Sequence, residues 1–323
     1  MTNKQSIAII GGGTSGIIAA CFLDTNKYDV TIYDRNKVLG RKFLVAGDGG
    51  FNLTHSENTS NLKERYTPTS FLDECLLHFT NEDFSDWLKH IGIETFIGSS
   101  NRIYPVKGIK PIQVLNAITS LLKEKGVRLK LEHELIPDSL IPKKNTQNLN
   151  FKTSDNTIVP VEADKIIFAL GGSSWKVTGS DGKWVNLFKI NDEEKIVKNF
   201  QASNCAFKVD WDKEFIAKNE GAALKNIAIT CGDKTQKGEA VITKFGIEGN
   251  AIYGLSKVIQ ERLSTGNTAE VQIDFKAFTL KDKINRLLCN SKLKTSDKLK
   301  VNVKLSNSIK QLIKSSLTKE QFL

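Results

Sequence analysis

The residues with the clearest chemical purpose are Gly11, Gly13 and Gly16, set in a G-x-G-x-x-G spacing at the end of the apolar run Ile7-Ala8-Ile9-Ile10. After a buried strand, glycines at this spacing let the chain turn tightly, bring backbone close to a pyrophosphate, and pack the next helix on the strand. Thr14, Ser15 and Gly16 open the helical run Ile17 to Leu23, whose first N–H groups and dipole favour an anion. A second apolar segment, Tyr28 to Tyr33, ends in Asp34. A carboxylate there accepts hydrogen bonds from the ribose hydroxyls of an adenosine, which suits FAD or NAD better than NADP. This order of strand, glycine turn, helix, strand and acid predicts a dinucleotide site. A tight turn without a ligand is the plainer alternative.

Beyond Asp34 lies a long glycine-rich stretch to His55 with neither helical nor alternating period. Loops of that length inside a compact domain are usually functional or disordered. Starting at the ribose acid, this one is placed to run along the cofactor. Arg35, Arg41 and Lys42 offer cations to the pyrophosphate. Gly47 lets backbone approach a flat ring, and the Asn52-Leu53-Thr54 segment offers hydrogen bonds to ring or ribitol oxygens. His55 is a candidate acid or base by position alone, and a surface histidine is the preferred reading. No catalytic residue is assigned.

These residues belong to a chain of 323, 25% charged and 40% hydrophobic, enough for two domains. A signal segment and an apolar run of membrane-spanning length are both missing, so a cytoplasmic protein with no membrane partner is expected. Five cysteines form no C-x-x-C pair and four histidines are scattered, which argues against a metal site. The net charge is +10, and from Lys276 to Lys319 the only acids are Asp282 and Asp297. Solvated helix faces are the preferred reading of that excess. No aromatic residue lies between Phe278 and Phe322, so stacking platforms are scarce and a nucleic-acid partner is disfavoured against a small-molecule substrate. Oligomeric state stays open.

The remaining pattern supplies a frame. Apolar spacing predicts helices over 71–79 and 84–91, the second capped by Asn81, and a helix from Pro111 to Leu122. Trp87 reads as core; Tyr104 reads equally as core or as a ring facing the cofactor. Gly126 to Glu132 reads as a third parallel strand, with Leu135 just beyond it meeting adenine through its backbone. Residues 151–153 and 157–161 read as arms of an antiparallel crossover. Ala163 to Leu170 reads as a buried strand running into Gly171-Gly172, a backbone turn set against the cofactor. Ser180 and Asp181 read as caps of a helix over 184–190. From about residue 195 short alternating runs, 205–209, 224–229, 240–243 and 271–275, predict antiparallel strands, with helices over 251–263, 280–289 and 306–321.

Three segments also carry a resemblance. Gly40 to His55, Leu170 to Gly182 and Lys237 to Gly249 are similar, in order, to the loop signatures of the BaiN-like NAD(P)/FAD-dependent oxidoreductases, as is Arg102-Ile103-Tyr104-Pro105. Gly50-Phe51 stands where many members have Arg-Cys, Lys176 where proline is usual, and Glu248 where many have Ser. The resemblance implies a glutathione-reductase-like α/β architecture. Residues 1–192 would form a Rossmann-like FAD-binding domain with a central parallel sheet and a three-stranded antiparallel crossover. Residues 193–323 would form an inserted domain, β-barrel-like and helical. It implies FAD as cofactor, NAD(P)H as electron donor, and hydride transfer to an organic acceptor, with the flavin between the 40–55 loop, the Gly171-Gly172 turn and the inserted domain. The family's G-E-x-x-D and T-G-G-[YF] stretches have no counterpart before Leu323. The expectation is therefore an FAD domain without its C-terminal return and with weakened cofactor binding. Two alternatives follow: a catalytically impaired nucleotide-binding or interaction module, and a flavin-dependent RNA-modifying enzyme suggested by the basic end.

Overall fold

The computed structural model describes residues 4–45, 51–66, 68–98, 101–136, 141–142, 147–189, 199–266, 268–289 and 292–322. These divide into two compact units, Met1–Phe200 and Gln201–Leu323. The expected boundary between residues 192 and 193 lies outside the described residues.

In the first unit, strand β1 (Gln5–Ile10) is central to a four-stranded parallel sheet. Its neighbours are Lys165–Phe168 on one side and β2 (Tyr28–Tyr33) on the other, and Arg128–Lys130 completes the order beyond β2. A strand buried on both faces must be apolar at every position, and Ile7 to Ile10 satisfy this. The period of two sends Ile7 and Ile9 to one core and Ala8 and Ile10 to another. Helix α1 (Thr14–Phe22) and helix Pro111–Glu124 cover the first face through Ile17, Ala20, Val114, Ile118 and Leu122. An antiparallel sheet of His133–Leu135, Gln147–Thr153 and Ile158–Ala163, with the short Ile141–Pro142 strand paired to its middle member, covers the second. Phe151 stacks there on Tyr33 with ring centroids 4.4 Å apart. The parallel sheet and the crossover thus match the expected fold class.

Three local expectations need correction. The 35–55 segment is not structureless: Arg41–Leu44 is a helical turn and Thr54–His55 pairs with Arg102–Pro105, which also pairs with Thr95–Ile97. Thr80, not Asn81, caps helix Asn81–His90, in a reciprocal capping box with Asp83. Asn81 is buried in the first turn, and its Nδ2 donates to the carbonyls of His55 and Glu57 at 2.6 and 2.9 Å. In the second unit the single helix expected over 251–263 is two, Asn250–Tyr253 and Ser256–Thr265. The break falls at Gly254, where a Cβ would lie 2.6 Å from the Gln236 Oε1.

The second unit is built on five antiparallel strands in the order Phe207–Lys208, Gly246–Glu248, Lys234–Thr243, Ala223–Cys231, Gln272–Asp274. Leu224, Ile227, Ile229, Ala240 and Ile242 form its core with Phe215, Ile252, Ile259, Ile309 and Leu312 from the helices. Helix Lys281–Cys289 lies close to its expected position, whereas the single helix expected over 306–321 is Asn307–Ser316 followed, after an extended Leu317, by the turn Lys319–Phe322.

Candidate functional site: a cleft at the carboxyl end of the parallel sheet

Strand β1 ends at Ile10, and Gly11 turns the chain at φ +112° with its N–H on the Tyr33 carbonyl at 2.8 Å. A Cβ on Gly11 would lie 2.3 Å from the Ala169 carbonyl oxygen, and one on Gly16 would lie 1.9 Å from the Gly11 carbonyl oxygen. These two glycines are demanded by the protein itself. Gly13 is different: a Cβ there would meet no protein atom within 4 Å. It is exposed at the N-cap of α1, and no side chain caps that end. The first N–H groups of a helix have no intrahelical partner, so this end offers donors and positive potential to an anion.

Asp34 has a role the spacing did not reveal. Its Oδ2 accepts the Gly12 N–H at 2.6 Å, and its Oδ1 accepts the Asn36 N–H and Nδ2 at 2.7 and 2.9 Å. The carboxylate clasps the glycine turn to the loop leaving β2. The Gly40 N–H, donating to the Gly12 carbonyl at 2.8 Å, closes the same clasp. A carboxylate has about four acceptor positions, so three bonds leave capacity for a hydroxyl.

Around this clasp is a cleft of about 570 Å³. Gly11, Gly12, Gly13, Asp34, Arg35, Arg41 and Lys42 line one side; His133, Glu134, Leu135 and Ile136 another; Leu170, Gly171, Ser180, Asp181 and Trp184 a third. Ligand crevices of open α/β sheets lie in this position, beyond the carboxyl ends of the strands. Arg35 spans the opening: its Nη2 donates to the Gly179 carbonyl at 2.5 Å and to Asp181 Oδ2 at 3.1 Å. Burial works to raise the Asp181 carboxyl, but the Lys183 N–H and the Arg35 guanidinium together hold it below the ordinary carboxylate value. Asp181 accepts the Lys183 N–H at 3.3 Å in the turn that precedes helix Val185–Lys189 and pairs with Arg35. Arg41 Nη1 donates to Asn36 Oδ1 at 3.3 Å and Lys42 Nζ to Ser174 Oγ at 2.5 Å. The Trp184 Nε1 donates to the Gly171 carbonyl at 2.9 Å and fixes the turn after strand Lys165–Phe168.

Of the residues expected from sequence, Gly11, Gly13, Asp34, Arg35, Arg41, Lys42, Leu135 and Gly171 meet in this cleft. Thr14 and Ser15 are exposed in the first turn of α1, and Gly16 is buried beneath Gly11, packing helix on strand. Asn52 is exposed, the Leu53 N–H donates to the Ile103 carbonyl at 2.8 Å, and Thr54 pairs with Ile103, so this segment belongs to the small antiparallel sheet. Gly172 does not line the cleft, and Gly47 lies outside the described residues. His55 Nδ1 accepts the Glu57 N–H at 3.2 Å, and Tyr104 stacks on Phe96 at 5.8 Å. Asn36, Trp184 and Asp181 were not expected as wall residues; a hydrogen-bonding side chain two positions after the strand-end acid was the one available signal for Asn36. Among the described residues no group of three or more His, Cys, Asp or Glu is placed to hold a metal ion, and no helix is long and apolar enough to cross a membrane.

A Rossmann-like α/β domain whose glycine turn and strand-end acid open on a cleft beyond the parallel strands has the architecture of the dinucleotide-binding class. The family comparison is more specific. The HI0933-like protein Rossmann domain matches residues 5–252, and the HI0933-like protein barrel and H2TH domain matches residues 201–322. The chain belongs to the HI0933-like family, the BaiN-like FAD-dependent oxidoreductase type that its loop motifs resemble. A ribosomal RNA dihydrouridine synthase of Haemophilus influenzae is 26% identical over 85% of this chain and 65% of its own length. A 3-dehydro-bile acid delta(4,6)-reductase of Clostridium scindens is 25% identical over 83% of this chain and 64% of its own. The chain thus spans a little under two thirds of these curated relatives. THI4 of Thermovibrio ammonificans superimposes with a TM-score of 0.35 at 15% identity, over 54% of this chain and 61% of that one.

Proposed function

We propose that the chain binds FAD in the cleft beyond β1 and β2 and serves an oxidoreductase that passes hydride from NAD(P)H to an organic acceptor. The observation that carries this reading is Gly13. Packing does not require glycine there, and the helix start beside it has no side-chain cap, which supports an anion on the first turn of α1. The pyrophosphate would lie on the first turn of α1, with Arg41 and Lys42 as counter-charges. The ribose would lie on Asp34, and the adenine along Glu134 and Leu135. When bound, the flavin supplies hydride acceptance and donation; the chain's residues bind, orient and shield it. Arg35 holds the 176–181 turn across the adenosine end and so slows escape of the cofactor.

The relatives differ in acceptor, a uridine in ribosomal RNA and a bile acid. A second reading, with an RNA uridine as acceptor, is favoured by the first relative and by the lysine excess after Phe275. The test is spectroscopic. The purified chain, supplied with FAD, should retain it with the visible bands of oxidised flavin, and these should bleach with NADH or NADPH under anaerobic conditions. Uridine-containing RNA or an unsaturated ketone, added afterwards, should restore the bands according to which acceptor is used. A chain that takes up no FAD sinks the proposal. One that retains FAD but never bleaches is the catalytically impaired module.

A further inference from the structure

The second unit has a cleft of its own, of about 570 Å³, between strand Ala223–Cys231, the turn after Gln272–Asp274 and the start of helix Asn307–Ser316. Lys225, Lys276 and Lys304 line it, and no carboxylate does among the described residues. Phe278 stands in its wall, 68% exposed, with the Lys237 Nζ 5.2 Å from the ring centroid. The nearby acid is engaged elsewhere: Asp274 Oδ1 accepts the Lys276 N–H at 2.7 Å.

The backbone is bent to make this cleft. The pairing of strand Ala223–Cys231 with Lys234–Thr243 slips between Leu224 and Ile227, so Lys225 and Asn226 bulge from the ladder. Asn226 and Lys304, on opposite walls, both take φ +56°. Outside glycine this left-handed region is uncommon, most of all for a residue such as lysine, and it collects at ligand sites. Three cations, an exposed ring under a fourth, and two residues with left-handed backbone converge on one opening.

We infer that this cleft binds a segment of single-stranded RNA, with a backbone phosphate among Lys225, Lys276 and Lys304 and a base stacked on Phe278. A flat apolar ring beside a cationic groove matches the two components of a nucleotide strand, π-face and phosphate, and an acidic peptide uses only one of them. The inference rests on the RNA reading of the acceptor and locates where the strand is held.

The test is fluorescence anisotropy of the whole chain with a labelled oligouridylate of about ten nucleotides, from about 50 to 200 mM salt. The Lys225→Gln/Lys276→Gln variant should lose affinity roughly tenfold or more at low salt, with the salt slope reduced by about 1.4. Phe278→Ala should weaken binding about tenfold with the slope unchanged, and Phe278→Tyr should restore it. FAD uptake, measured on the same samples, should stay at the wild-type level in all three. No binding by the wild-type chain, or unaltered affinity and slope in the double variant, overturns the inference. Displacement of the strand by an equal concentration of uridine monophosphate overturns it as well. Loss of FAD uptake with RNA binding intact counts against the flavin reading alone.

Discussion

Gly13 and Gly16, three positions apart, do opposite work. Gly16→Ala places a methyl against the Gly11 carbonyl, so helix α1 must move from β1. Overpacking of this kind costs roughly 1–3 kcal/mol, and cofactor affinity should fall with stability. Gly13→Ser should separate the two. Serine is a good N-cap and the space for it is open, so the apoprotein should melt at or slightly above the wild-type temperature. Its hydroxyl occupies the donors meant for phosphate, so FAD affinity should fall at least about tenfold, or 1.4 kcal/mol. Calorimetry and FAD titration on the two variants check this; equal FAD affinity in Gly13→Ser and wild type removes the phosphate from Gly13. Asp34→Ala should lower both quantities, because it frees the Gly12 and Asn36 donors as well as the ribose acceptor. The spacing gave away which glycines matter. That Asp34 first serves the protein was hard to see, since its bond to the Gly12 N–H is a backbone contact and only the position of Asn36 hinted at the other two.

At the scale of elements, the parallel sheet was legible because burial on both faces forces an unbroken apolar run, and Ile7 to Ile10 can be nothing else. The 40–55 segment was less legible. Its helical turn and its short strand are fixed by partners remote in sequence, Leu115 against Gly40 and Ile103 against Leu53. The same is true of the strap across the cleft, where Arg35 reaches Gly179 and Asp181. Asp181 is held below its ordinary pKa, so its favourable charge interaction is fully present above about pH 4 and is lost only as pH falls through the lowered value. FAD affinity should therefore be flat from about pH 8 to 5 as far as this strap is concerned, and decline in more acid solution. Asp181→Asn should raise the FAD dissociation rate throughout that range. An exposed pair of this type contributes about 0.2–1 kcal/mol, so the rise is about fivefold at most. Stopped-flow release of FAD measures it, and an unchanged rate removes the strap from cofactor retention.

For the whole molecule, each unit has its own buried core, and each core contains one buried cysteine. Lys237 and Phe278 are distant in the chain, so a reading of the late sequence alone does not bring together the ring and lysines that the fold places side by side. The two thiols offer a direct view of how the units open. Burial pushes the Cys21 thiol up to about 11, despite the charge of Lys125, so it is unreactive near neutral pH until its unit opens. Cys231 is fully buried in the second unit, while Cys75 and Cys289 are exposed and should label at once. A ligand that binds only the folded form stabilises by about 2.7 kcal/mol at a concentration of 100 times Kd, and so slows labelling of a thiol behind that opening about a hundredfold. Saturating FAD should slow Cys21 by that order and leave Cys231 unaffected, if each unit opens on its own. Oligouridylate should do the reverse. Alkylation in mild urea, followed by peptide mass mapping, reads all the sites in one experiment. Equal slowing of both thiols by FAD would mean that the two cores open as one.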